Sequence, residues 1–342
     1  EDGGAILSRG TEGGHSISNS VFQENSADFA GGAVYSADDV AISGSTFTTN
    51  SASSGGAVYA DNSLYISSSS FESNTATTLR GGAVWTGGSL EIDSSSFDGN
   101  TAGSEGGAVT ALAGAQVISS LFSGNQAGSL GSAQYGGAIY SGSEVYLYNS
   151  TFYQNKAQRG SAVYARASMS SKMNFVTIYK NYVYGYSDDY DSAVYIQGAS
   201  IYNSIISGNL TYDEASANMV AGVDLAATIY LKMQDSILSS DGSARFQDQA
   251  VNDTNSTISN LIFGNPRLSS LADNGGPTET LKPRFGSPAI DAADESFTQP
   301  ADGELLRNDQ RGELRVFGSG ADIGAVEVQS VLTAGQFTLT SS

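Results

Sequence analysis

The sequence predicts an all-β chain: a right-handed parallel β-helix, a solenoid with about 24–26 residues per coil, closed by an irregular C-terminal cap. Three observations predict it. A pentapeptide recurs through the first 200 residues: GGAVY at Gly31 and Gly55, GGAVW at Gly81, GGAVT at Gly106, GGAIY at Gly136, GSAVY at Gly160 and DSAVY at Asp191. Between its copies runs F-x-x-N, at Phe22, Phe47, Phe71, Phe97, Phe122 and Phe152. Finally, apolar residues alternate with period two at Val40/Ile42, Leu64/Ile66, Leu90/Ile92 and Val145/Leu147, and no useful window has helical periodicity.

Within a coil the elements follow in a fixed order. In the coil opened by Gly81, Ala83-Val84-Trp85 reads as a short strand and Leu90-Glu91-Ile92 as a second. A serine-rich stretch then leads to Phe97, with Gly, Ser, Asn and Asp as turn residues throughout. Such runs of three to five residues describe one coil with about three faces. From the first Gly of the pentapeptide to the Phe is sixteen positions in five successive coils, Gly31 to Phe47 being the first. The stretch from the Asn to the next pentapeptide varies, with long excursions at Gln126–Tyr135 and Tyr182–Tyr190. Length variation therefore collects in one turn, where loops on a rigid scaffold can carry function or be tolerated insertions.

Each recurring residue has a physical task. Gly pairs suit a corner needing positive φ or close backbone approach. The Val or Ile that follows belongs in the core. Asn25, Asn50, Asn74, Asn100, Asn125 and Asn155 should form a structural ladder, each amide bridging successive coils, with the Phe rings stacked beside them. Residues 1–265 read as solenoid, a rod of ten or eleven coils and roughly 50 Å, and residues 266–342 as the cap. Prolines gather in that last segment and cannot donate ladder hydrogen bonds, so it is expected to fold over the last coil, with Asp309, Arg311 and Asp322 as partly buried ion pairs.

Composition narrows the function classes. The chain has 342 residues and a formal charge of -20, from 15 Lys+Arg against 35 Asp+Glu. That balance excludes nucleic acid and anionic membrane surfaces as partners, and no stretch is apolar enough for direct membrane insertion by a helix. Cysteine is absent, as suits stacked coils that need no staples. The chain opens at Glu1 already inside a GGAI motif, an uncapped first coil. This points to a segment of a longer protein, or to an end that stacks on another chain.

Candidate functional residues lie outside the ladder. If the Val of the pentapeptide points inward, the next residue points outward, giving the column Tyr35, Tyr59, Trp85, Thr110, Tyr140, Tyr164 and Tyr195. It can serve as a platform for sugar rings, a lateral contact with another solenoid, or an aromatic ladder stiffening the sheet. Tyr182, Tyr184, Tyr186 and Tyr190 of the second excursion join the ligand-binding candidates. Asp188, Asp189 and Asp191 form an acidic cluster for Ca²⁺, without any established calcium motif. Catalysis is not expected. The lone His15 sits in the first coil with no paired carboxylates in sequence, and Lys156, Arg159, Arg166, Lys172 and Lys180 form no recognised lyase constellation with the acids. No other cofactor is implied.

Two families are resembled. The pair GGA(I/V) and F-x-x-N, over roughly residues 1–210, resembles the repeats of the polymorphic outer-membrane proteins, surface-exposed β-helical passengers. The match loosens at GSAVY, DSAVY and Ile206-Ser-Gly-Asn209. The later motifs Asn265-Pro266-Arg267-Leu268, Asp273-Asn274-Gly275-Gly276-Pro277, Gly286-Ser287-Pro288-Ala289-Ile290-Asp291, Asp309-Gln310-Arg311-Gly312 and Ala321-Asp322-Ile323-Gly324-Ala325 resemble the choice-of-anchor Q region of bacterial surface proteins. These resemblances imply an extracellular, cell-surface protein, an adhesin or structural rod. Its partner would be a glycan or surface protein on a cell or matrix. A self-stacking filament of copies of the chain and a polysaccharide lyase are the alternatives.

Overall fold

A computed structural model describes residues 1–10, 13–128, 134–166, 170–184, 191–213, 218–239, 256–297 and 306–329. It is an all-β solenoid of parallel strands with three faces. In the coil opened by Gly31, the first face takes Val34–Ser36 and, after a bend, Val40–Ser43. The second takes Thr46–Thr48 and the third Ser51–Ala52. Successive coils pair in register, so Val34 lies on Val58, Phe47 on Phe71 and Ala52 on Ala76. The expectation was ten or eleven coils; about eight complete turns form. Among the described residues ten strands stack on the second face, but the third ends early, where Leu210–Asp213 pairs antiparallel with Asn218–Ala221. Nine spacings of about 4.8 Å make the second face about 43 Å long.

The core is filled by the alternating inward residues, among them Val34, Val40, Ile42 and Phe47 and their counterparts up the stack. The rings from Phe22 to Phe152 lie 4.7–5.0 Å apart and within 7° of parallel. Beyond Phe152 the column continues as Ile178, Ile206 and Leu238. Two glycine positions explain the pentapeptide. The first, as at Gly81, has φ +67 and a Cβ there would meet the Val84 carbonyl oxygen at 2.2 Å. The second, as at Gly82, has ordinary φ, but a Cβ would lie 1.9 Å from the Gly107 oxygen of the next coil.

The asparagines stand in one buried file. Nδ2 of Asn100 donates to Asn125 Oδ1 at 2.9 Å and to the Phe71 carbonyl at 2.9 Å, while its own Oδ1 accepts from the backbone N–H and Nδ2 of Asn74 at 3.0 Å. The file extends through Asn181 and Asn209 and ends on the buried Asp224, whose Oδ1 accepts from Asn209 at 2.8 Å. A second file was not foreseen. Backbone N–H groups of Ser45, Ser69, Ser95 and Ser120 each donate to the serine hydroxyl one coil on, at 3.1 Å.

Among the described residues, the C-terminal segment does not fold over the last coil. It lies along the flank, at the corner between the first and second faces. Asn308 O accepts from Asn149 Nδ2 at 2.8 Å, Gln310 Oε1 accepts from Thr151 at 2.6 Å, Thr177 Oγ1 accepts from Ala325 N at 3.0 Å, and Asp294 exchanges two hydrogen bonds with Asn203. The reason is in the outward residues of those coils. Thr46/Thr48 and Ser70/Glu72 on the second face give way to Tyr153, Tyr179, Ile205 and Ile237, an apolar surface that Leu268, Leu281, Ala289 and Ile323 cover. The corner itself needs φ near +50. Gly44, Ser68, Ser94 and Ser119 supply it in the earlier coils, and Asn149, Phe175 and Asn203 in the later ones. A phenylalanine in that region is strained, and it is held under the Arg315 guanidinium, 4.2 Å from its ring centroid.

Of the ion pairs expected in this segment, Arg311–Asp309 forms at 2.7 Å. Asp322 instead accepts backbone N–H groups from Asp291 and Val328. The fully buried cation is Arg315, bound to the Gly324 and Ala325 carbonyls and to Asn149 Oδ1. Desolvation lowers its pKa to about 10. Desolvation likewise raises Glu327 from 4.5 to about 8.

Two outcomes are expected. Asn100→Ala strands the Asn74 N–H and one Asn74 Nδ2 hydrogen and takes a donor from the Phe71 carbonyl, while Asn125 Oδ1 keeps the Asn100 N–H, and should cost about 3 kcal/mol or more in urea unfolding followed by Trp85 fluorescence. Asn25→Ala, at the half-exposed end of the file, should cost about 1 kcal/mol. Glu327 is a carboxyl with a raised folded pKa, so its contribution is complete below pH 4.5 and lost as pH rises through about 8. The urea midpoint should fall over that window, and Glu327→Gln should flatten the fall.

Candidate functional site

The outward aromatic column forms as two separate stacks. Tyr35, Tyr59 and Trp85 lie 5.5 and 4.1 Å apart, and Tyr140, Tyr164 and Tyr195 lie 5.5 and 4.7 Å apart, all within 13° of parallel. Thr110 interrupts them in register. Thr110 and Tyr140 are buried, contrary to the expected exposure, and the other rings are half-buried. Stacking at coil spacing means that each inner ring offers its edge to solvent while its faces touch the next ring. The hydrogen bond from Tyr35 Oη to Asp61 at 2.7 Å, with burial, pushes Tyr35 up to about 12. Burial does the same for Tyr59 and Tyr164.

The second excursion is only partly described. Tyr182 and Tyr184 are half-buried, with Lys156 Nζ 6.0 Å from the Tyr182 ring centroid. Tyr186, Asp188, Asp189 and Tyr190 lie outside the described residues. Asp191 is buried, with Arg159 Nε 3.9 Å from its Oδ1, a neighbour that opposes a cation there. No group of three or more His, Asp or Glu side chains suited to a metal gathers among the described residues.

The structure spreads the three lysines over the faces, while Arg159 and Arg166 both lie near Tyr164 of the aromatic column. Lys156 belongs to the third face and Lys172 to the first, while Lys180 ends the second, 5.2 Å from the Tyr179 ring centroid. His15 has neighbours that superficially suggest a nucleophile–base–acid set. Ser8 Oγ is 2.6 Å away and Asp38 Oδ2 3.8 Å, but both approach Nε2. A relay requires the nucleophile and the acid on different ring nitrogens.

A shallow groove of about 590 Å³ runs along the first face beside His15. Its floor is the outward column of the second strand, Ala41, Tyr65, Glu91 and Gln116, one residue per coil. Its wall is the bend, where Asp39 Oδ1 accepts from Ser63 N at 2.9 Å and Ser89 Oγ donates to Ser63 Oγ at 3.1 Å. Tyr65 is 40% exposed, and its register neighbours are Ala41 and Glu91, so no ring stacks on it within this column. Tyr65 stands outside the pentapeptide column that the repeat marks in sequence. The usable signal is the x of L-x-I, a position that carries no repeat.

A stability role for the pentapeptide column has a direct test. Tyr164→Ala removes the middle ring of a three-ring stack and should lower stability by about 1–3 kcal/mol in urea unfolding. Phenolate absorbance should also show Tyr35, Tyr59 and Tyr164 still protonated at pH 11, where free tyrosine is ionised, in line with values near 12.

Three segments of the chain, residues 44–61, 94–111 and 119–142, match the Chlamydia polymorphic membrane protein repeat. Each spans parts of the coil that hold the glycine corner, the Phe column or the Asn file. The match points to a bacterial surface or outer-membrane protein built on a β-solenoid. A search of curated proteins found no relative.

Proposed function

We propose that this chain is a non-catalytic contact rod of the bacterial cell surface, an adhesin whose outward columns meet glycans or proteins of a cell or matrix. One observation carries the reading. Apart from the aromatic fifth position of the pentapeptide, the residues that define the repeat turn inward or into the files, which leaves the other outward column, Ala41, Tyr65, Glu91 and Gln116, free to vary on a fixed lattice. The repeat match supports the surface setting, and the C-terminal resemblance to a choice-of-anchor region supports attachment there.

Two other readings fare less well. A head-to-tail filament needs a last coil that continues all three faces. Here the third face ends in an antiparallel pair, and the Asn file ends on a carboxylate with no hydrogen to pass on when ionised. A lyase needs a base and a charge-stabilising group converging on one cleft, and the candidate lysines lie on different faces.

The soluble chain should retain glycans on an array without producing unsaturated chain ends in an absorbance assay run beside it, with and without Ca²⁺. Turnover of a polysaccharide would overturn the reading.

A further inference from the structure

We propose that the groove floored by Ala41, Tyr65, Glu91 and Gln116 is a binding site for an uncharged pyranose oligosaccharide laid along the solenoid axis. This deepens the adhesive reading and rests on it for its biological setting. The argument begins with the rings. Sugar recognition uses the face of an aromatic ring, and in the pentapeptide column the inner faces are taken by neighbouring rings at 4.1–5.5 Å. Tyr65 has a small residue on one side of it in register and a carboxylate side chain on the other, and it is 40% exposed. Tyr146, in the same column, also has no ring beside it in register, but it packs against the cluster of Tyr148, Phe175 and Leu306, which leaves Tyr65 the more exposed of the two.

The groove's polar groups match a polyol. Ser63 and Ser89 on the wall present hydroxyls that donate or accept, Glu91 on the floor accepts, and the Gln116 amide does both. These groups repeat at the coil spacing of about 4.8 Å, close to the length of one sugar unit in an extended chain. Three such spacings, from Ala41 to Gln116, give a floor of about 14 Å, enough for a short oligosaccharide. The volume of about 590 Å³ falls in the range of small-ligand sites.

Charge selects the class. Asp39 and Glu91 both border the groove together with His15, no Lys or Arg lines it among the described residues, and the whole chain carries -20. An anionic glycan such as a uronate or sulfated chain meets repulsion at both carboxylates. An uncharged one meets those carboxylates as acceptors for its hydroxyls.

The test is calorimetric titration and saturation-transfer NMR on the full chain, with cellotriose and triacetylchitotriose as uncharged probes and trigalacturonate as the anionic one. At least one uncharged trisaccharide should bind saturably, with transfer to its ring C–H protons, and trigalacturonate should not. Tyr65→Ala should weaken binding at least about tenfold and Tyr65→Phe by less than about threefold, since Phe keeps the ring face. The Trp85-monitored urea midpoint should be the same in both variants, which separates loss of the site from loss of the fold. The proposal is overturned if neither uncharged probe binds by 10 mM, on the order of the weakest contact worth calling a site. It is equally overturned if trigalacturonate binds as well, or if Tyr65→Ala changes nothing. If array glycans are retained undiminished by Tyr65→Ala, the adhesive reading stands and this groove is not its site.

Discussion

The amide–amide hydrogen bond between asparagines of successive coils is the constraint on which the rest of the structure depends. Each Asn is both donor and acceptor in the same plane, so the file runs through the protein with one polarity. Nδ2 points toward the next coil and Oδ1 toward the previous one. The second hydrogen of each Nδ2 returns to a Phe carbonyl, which ties the file to the aromatic column beside it. A slip of one residue between coils would break both at once, leaving buried amides unsatisfied at about 1–3 kcal/mol each. Register is therefore fixed by polar groups in the core rather than by apolar packing alone. The serine file adds a second row of the same kind at another corner.

Much of this was legible in the sequence because the files need one residue type at one position in every coil. Asn at F-x-x-N and Gly at the pentapeptide leave an unbroken trace, and the fold follows from them. The serine file left a weaker trace. Ser45, Ser69, Ser95 and Ser120 sit among other serines, so the buried member of each cluster is not marked by type. The site was legible only by subtraction. Tyr65 lies in the position of the coil that the repeat does not specify, and in one sequence an unspecified position looks the same whether it binds or merely faces water.

The misplacement of the C-terminal segment has a physical cause that is plain in hindsight. Covering an end requires apolar groups at the end, whereas the uncovered apolar groups are on the flank. From Tyr148 onward the corner and second-face positions that were Ser, Thr or acidic become Tyr, Phe, Ile and Asn. The segment follows that surface. Its cluster of Asp309, Arg311, Arg315, Asp322 and Glu327 is satisfied chiefly by backbone groups, so the charges lock the segment's own loops as well as the seam with the coils. The same cover leaves Tyr65 and the bend beside it open, on coils that the cover does not reach.

The account makes the Asn file the most protected element of the molecule, and amide hydrogen exchange resolved by residue tests this most directly. The backbone N–H groups of Asn50, Asn74, Asn100, Asn125 and Asn155 each donate to the side chain of the next Asn within the core. They should exchange slowest and as one class, behind the strand amides of the first face and well behind the bend residues 37–39 and 61–63. Asn amides that exchange ahead of the first-face strands, at rates set only by distance from the solenoid ends, would contradict it.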